Sequence, residues 1–326
     1  MNLASTTIQK LKYFLSEQPS ITSFQWSPIV LGSTWSFLIL SISAFILTST
    51  TLHLLLLLIR RRRPIPLGPI PALHSLSMSL ISATIFLGML SSAVAEIRDT
   101  RWIWRRSKTP LQWLLCFPIG TRPSGRVFFW SYTFYLSRFL HIFRTFFAII
   151  RRRNLSFFQI FNHSILICMS FLWLEFSQSF QVIAILLMTL VFALVYGYRF
   201  WTEIGLKRAR FPFVMNCHLV FLGCNLVCHV GVLLLHFYKG GCNGMGAWFF
   251  NSMLNGFLLL VFLRSYVKTY YLIRRNYFSV VDSSISEVED FVITSRTSKK
   301  DLRVRRKCED IIEPDQLNMI HPRKII

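Results

Sequence analysis

Seven long apolar runs govern what this chain can fold into: 35–59, 70–95, 127–150, 155–174, 180–201, 211–237 and 245–273. A helix rises about 1.5 Å per residue, so a run of about 20 apolar residues matches the hydrocarbon thickness of a bilayer. Inside that layer each backbone polar group must be satisfied by protein, and for runs of this length an α-helix does so within one segment. The pattern predicts an all-α, polytopic membrane protein, a seven-transmembrane-helix bundle. It divides the chain into a luminal N-terminal segment 1–34, a membrane domain 35–275 and a disordered cytosolic tail 276–326.

Composition agrees. Hydrophobic residues make up 53% and charged residues 15% of the chain, against about 25% charged in an ordinary soluble protein. That excludes a disordered chain, a collagen-like chain and a disulfide mini-protein. The net charge of +22 lies before the tail, because the nine basic and nine acidic residues from Asp282 onward cancel. Basic loops between apolar runs point to anionic lipid and phosphate groups, and nucleic acid is not expected as a partner. The first 30 residues hold Lys10, Lys12 and Glu17 and lack the apolar core of a cleaved signal peptide.

Orientation follows from the same loops. Arg60–Arg63, Arg151–Arg153, the group Lys207, Arg208 and Arg210, and the pair Arg274 and Arg275 follow runs one, three, five and seven. Alternation puts all four on one side, which the distribution of basic residues marks as cytosolic. The loop 96–126 departs from the rule with seven basic residues. Its Trp102, Trp104 and Trp113 suggest an amphipathic segment lying on the membrane surface. Cys116 and Cys242 then fall in loops on the oxidising side, where a disulfide between them or two unpaired thiols are both open readings.

Polar side chains inside the runs mark a candidate site, since ionisable groups in hydrocarbon face protein and usually serve a function. Measured from the cytosolic helix ends, His141, His163 and Arg264 come out about 14 Å deep and His218 about 10 Å. Arg138, His141 and Thr145 share one helix face, as do Gln159, Asn162 and His163. Asn225, His229 and His236 form a stripe deeper in run six, read as hydrogen bonds holding helices together. Cys224-x3-Cys228-His229 lacks the further ligands a metal would need, so none is expected. The glycines of 241–246 follow no strand and open away from the cytosol, so they do not form a nucleotide loop.

The segment from Tyr135, Tyr-Leu-Ser-Arg-Phe-Leu-His-Ile-Phe-Arg-Thr, then Arg151 to His163, and then Tyr196-Gly-Tyr-Arg-Phe-Trp201 resembles the ELO family of fatty-acid elongases. The resemblance covers most of 35–275. It implies a condensing enzyme of the endoplasmic reticulum, a very-long-chain 3-oxoacyl-CoA synthase joining malonyl-CoA to long-chain acyl-CoA. It needs no cofactor beyond those substrates. The family's Lys-x-x-Glu-x-x-Asp-Thr motif falls on Arg138, His141, Arg144 and Thr145, and its histidine box on Gln159, Asn162 and His163. The next motif falls on Phe192, Val195, Tyr196, Tyr198 and Arg199 without its histidine. His163, His141 and His218 are therefore the candidate imidazoles, with His163 the one retained box position. Gln159, Asn162 and Tyr196 are candidate oxyanion donors. Arg151, Arg152, Arg153, Lys207, Arg208 and Arg210 would receive CoA phosphates at the cytosolic mouth.

Two other readings belong beside this one. One is a non-catalytic homologue that organises an elongase complex with its ketoacyl reductase, dehydratase and enoyl reductase. The other is a seven-helix receptor or transporter, although Asp-Arg-Tyr after run three and Asn-Pro-x-x-Tyr in run seven are both missing. The chain ends Arg323-Lys324-Ile325-Ile326, a dibasic C-terminus resembling a retrieval signal for the endoplasmic reticulum. Replacing Arg323 and Lys324 by serine is expected to release part of the protein from that compartment, scored by imaging beside a resident marker. Full residence of the variant would exclude the tail as the signal.

Overall fold

The structure, a computed structural model, describes residues 9–10, 12–59, 66–99, 110–151, 157–205, 212–261, 263–264, 266–267 and 271. The chain divides into two compact units, Met1–Val261 and Phe262–Ile326. Of the second, Leu263, Arg264, Tyr266, Val267 and Tyr271 are described; all are helical, and Arg264 is exposed. The tail 276–326 lies outside the described residues.

The fold is all-helical, and among the described residues the one trace of strand pairing is an isolated bridge between Gln25 and Ser124. The long helices are α1 (Trp35–Leu58), α2 (Ile70–Arg98), α3 (Arg126–Ile150), α4 (Phe157–Glu175), α5 (Gln181–Ile204) and α6 (Pro212–Lys239), followed by α7 (Met245–Val261). Among the described residues, four stretches are long and apolar enough to cross a membrane: α1, α2, α5 and Leu219–Tyr238 within α6. These make the chain a multi-pass membrane protein by length and composition. The helix limits follow local chemistry. The Thr34 hydroxyl accepts from Phe37 N–H to cap α1 at 3.3 Å, and Gly205 takes a left-handed φ of 108° to close α5. Several hydroxyls along α1 turn back onto their own helix, as Thr48 does to the Ala44 carbonyl at 2.7 Å and Thr51 to the Leu47 carbonyl at 2.7 Å.

The bundle is organised around α2, which packs along α5 and against α3, while α3 packs against α4. Helix α1 lies to the outside on α3 and α4. It exposes Ile39, Leu40, Leu47, Leu54 and Leu58, a face suited to acyl chains. Where α2 meets α3, the Trp130 ring lies so close that a Cβ added at Gly88 would stand 2.1 Å from it. The indole N–H then continues past Gly88 to donate to the Leu15 carbonyl at 2.9 Å. The N-terminal segment is therefore part of the core: Ile21 is buried, and Leu15, Phe24 and Trp26 pack against it.

One end of the bundle is knitted by loops. Cys116 and Cys242 are joined in a disulfide with Cα atoms 5.1 Å apart. Around it, Asn243 N–H donates to the Phe117 carbonyl at 2.8 Å. The Ser179 hydroxyl reaches the Asn243 carbonyl at 2.8 Å, and Asn243 Nδ2 reaches the Phe176 carbonyl at 2.9 Å. Trp26 Nε1 donates to Glu175 at 3.0 Å, and Arg126 pairs with Asp99 at 2.8 Å. Trp113 corrects the surface-segment expectation: it is fully buried in the short helix Pro110–Leu115, with its ring 5.7 Å from that of Phe117. The disulfide beside it anchors this stretch inward, so its ring joins the core instead of the membrane surface. Trp102 and Trp104 lie outside the described residues.

Two outcomes check this packing. Gly88→Ala should destabilise the detergent-solubilised protein by about 1–3 kcal/mol, read by thermal unfolding, because the ring it strikes is enclosed. Proteolysis of the intact protein should leave fragments containing residues 116 and 242 linked until reductant is added. Free thiols at both positions would contradict the bridge.

Candidate functional site

Helix α3 turns one stripe inward. Phe134, Arg138, His141 and Thr145 follow one another at helical spacing and are all nearly fully buried. The Arg138 guanidinium lies 4.1 Å from the Phe134 ring centroid and 4.6 Å from that of Phe192 on α5. Its Nη2 donates to Ser137 Oγ at 3.0 Å. Its Nε and Nη1 are enclosed and have no acceptor among the described residues. One turn along, His141 Nδ1 shares a hydrogen bond of 2.8 Å with the Tyr196 hydroxyl of α5, also buried. His141 Nε2 and Thr145 Oγ1 have no partner among the described residues.

Further rings close the cluster. The His163 ring of α4 stands 6.5 Å from His141 and 6.4 Å from Phe45 of α1. His74 of α2 donates from Nε2 to the Leu140 carbonyl at 3.1 Å, and its ring lies 6.4 Å from Tyr196. The polar layer is thus assembled by α2, α3, α4 and α5. His74 was missed in the sequence reading; its signal was one imidazole four residues into the apolar start of α2. Asn162 is half-buried on α4 and joins none of these hydrogen bonds among the described residues. Gln159 and His218 are placed on α4 and α6, but their side chains lie outside the described part.

The site carries positive charge without a balancing carboxylate at its level. Helix α3 has no acidic residue. In α2, α4 and α5 the acids Glu96, Glu175 and Glu203 stand in the terminal turns. Glu203 is engaged with Arg151, which forks onto it with two bonds of 3.0 Å and ties the ends of α3 and α5. Arg152, Arg153, Lys207, Arg208 and Arg210 lie outside the described residues.

The arrangement can orient one imidazole and leave its second nitrogen free. If the Tyr196 hydroxyl donates to Nδ1, Nε2 bears the proton and donates; in the other tautomer Nε2 is a base or nucleophile. A different use of histidine appears in the second polar cluster, between α6 and α7. There His229 Nδ1 lies 2.9 Å from Ser252 Oγ and Nε2 lies 3.2 Å from Asn255 Nδ2. Both nitrogens are occupied, so this imidazole joins helices. His236 Nδ1 accepts from Cys242 N–H at 3.0 Å and holds the disulfide loop.

Residues 30–276 match the family model ELO, described as the GNS1/SUR4 family. The chain is 61% identical over 279 residues to the protein named fatty acid elongase 3-like of Arabidopsis thaliana, covering 84% of this chain and 96% of that relative. It is 25% identical over 214 residues to fatty acid elongase A of Dictyostelium discoideum, covering 64% of this chain and 73% of the relative. No solved structure matches. With the match spanning α1 to α7 and the buried stripe of α3, the chain belongs to the ELO family.

Proposed function

We propose that this chain is a very-long-chain 3-oxoacyl-CoA synthase, condensing malonyl-CoA with a long-chain acyl-CoA in the endoplasmic reticulum membrane. The observation that carries the proposal is the His141–Tyr196 pair: an imidazole oriented on one nitrogen, free on the other, and enclosed in a chain that belongs to the ELO family. The reaction needs that kind of group. Loss of CO2 leaves the malonyl thioester as an enolate, whose carbon attacks the acyl carbonyl. A carbon–carbon bond forms, the carbon–sulfur bond breaks, and the departing CoA thiolate takes a proton. His141 Nε2 can carry the acyl group between thioester and enolate, or hand that proton to sulfur. His163, the retained histidine-box position, stands as the second imidazole beside it.

The proposal includes seven membrane spans, with the N-terminus luminal and the C-terminus cytosolic. The Cys116–Cys242 bridge supports a luminal position for the loop-bound end. Arg152, Arg153, Lys207, Arg208 and Arg210 follow α3 and α5 at the other end, where CoA phosphates would arrive. The product is a 3-oxoacyl-CoA, so a ketoacyl reductase, a dehydratase and an enoyl reductase would act next. A second reading, a non-catalytic elongase subunit, is favoured by one fact: of the histidine-box positions only His163 keeps an imidazole.

Expression in an elongase-deficient yeast with fatty-acid profiling separates the two. The wild-type chain is expected to lengthen acyl chains. His141→Ala and His163→Ala, each tested in folded protein, are expected to lower the rate by about 10²- to 10⁴-fold, and His229→Ala to retain it. Retained elongation in either site variant removes that residue from the chemistry. Wild-type protein that elongates no acyl-CoA but associates stably with other elongase enzymes establishes the subunit reading.

A further inference from the structure

We propose that Arg138 is a carboxylate-binding residue, which admits the thioester bearing a free carboxylate and discriminates against its decarboxylated analogue. This deepens the condensing reading and rests on it. A guanidinium enclosed without a counter-charge is costly, because desolvation of an ion in protein is only repaid by a well-placed opposite charge and full hydrogen bonding. The described surroundings offer Arg138 two aromatic faces and one serine hydroxyl. Aromatic faces attract the cation through the ring quadrupole and supply no lone pair to its N–H groups. Among the described residues Nε and Nη1 lack acceptors, and each shares an edge with Nη2, which keeps one N–H beyond its bond to Ser137. A planar carboxylate is the group whose geometry fits such an edge.

Depth narrows the ligand. Arg138 lies twelve residues before Ile150, about 18 Å along α3 from the end that carries Arg151. A lipid headgroup stays at the membrane surface, and so would the phosphates of CoA if they are held by the basic segments at that end. What reaches this depth is the acyl end of a thioester. The unpartnered atoms continue in the right direction: His141 Nε2 and Thr145 Oγ1 follow Arg138 along the same stripe toward the Arg151 end. A malonyl thioester laid along the stripe puts its carboxylate at Arg138 and its thioester carbonyl by His141.

The charge then stays paired through the reaction. When the bond between the carboxylate carbon and the α-carbon breaks, its electron pair moves into the thioester as the enolate, and CO2 departs uncharged. Arg138 loses its hold on the departing group and faces the enolate until the new carbon–carbon bond forms.

The test is binding without turnover, on the full-length protein in detergent, with malonyl-CoA and acetyl-CoA as separate competitors for labelled malonyl-CoA. Wild-type protein is expected to prefer malonyl-CoA by about 10- to 100-fold, the range of hydrogen bonds to a charged group. Arg138→Gln should bring the ratio close to one by weakening malonyl-CoA, with acetyl-CoA little changed, and Arg138→Lys should keep part of the preference. Equal wild-type affinities overturn the proposal whether or not the variants fold, and so does an Arg138→Gln protein that keeps the preference. Selective binding lost with Arg138, in a chain that elongates nothing in yeast, keeps the carboxylate site and removes the condensing reading. Elongation with no malonyl preference does the reverse.

Discussion

A charged or strongly polar side chain cannot sit against acyl chains without large cost, so it draws helices around itself. Helix α3 carries such a stripe, with Arg138, His141 and Thr145 on one face and Phe134 beneath them. Helices α2, α4 and α5 enclose it, each supplying an aromatic ring or an imidazole. Helices α2 and α5 present apolar side chains on their outer faces, Leu80 and Leu90 on α2 and Leu190 and Leu194 on α5 among them. The bundle is in this sense built from its polar interior outward. Attraction between apolar surfaces cannot do this in lipid, where the tails are as apolar as leucine.

The two ends of the bundle are held by different means. At one, a covalent bridge, a web of backbone hydrogen bonds around Asn243 and the enclosed Trp113 leave little freedom. At the other, the described link between α3 and α5 is the Arg151–Glu203 pair, partly exposed on both sides. Exposed pairs contribute about 1 kcal/mol or less. Among the described residues the two ends therefore differ in kind, with covalent and backbone links at one and a side-chain ion pair at the other.

Helix positions were legible in the sequence because hydrocarbon thickness sets a length scale that composition reveals directly: the apolar runs beginning at Trp35, Ile70 and Met245 start where α1, α2 and α7 start. The face of α3 was legible too, since Arg138, His141 and Thr145 are conspicuous in an apolar run. Which helices meet that face was not. Depth alone ranked His218 and Arg264 beside His141, whereas Arg264 is exposed and His74, in a run free of charge, stands in the layer. Equal depth says nothing about azimuth or about which neighbour a helix packs against, and those are settled by contacts such as Gly88 with Trp130 that no periodicity encodes. The loop tryptophan Trp113 misled for a related reason: an amphipathic ring suits an interface, but a neighbouring cross-link overrode that preference.

The bond from Trp130 to Leu15 deserves a last consequence. Its acceptor is a main-chain carbonyl within the short helix Tyr13–Glu17, so any apolar residue that keeps the local backbone can stand at position 15 without removing it. The indole, by contrast, has no substitute of the same reach, and the glycine that makes room for it has none at all. Evolutionary drift at this corner is therefore expected to be lopsided, open to exchange among apolar side chains at position 15 and closed at Gly88 and Trp130.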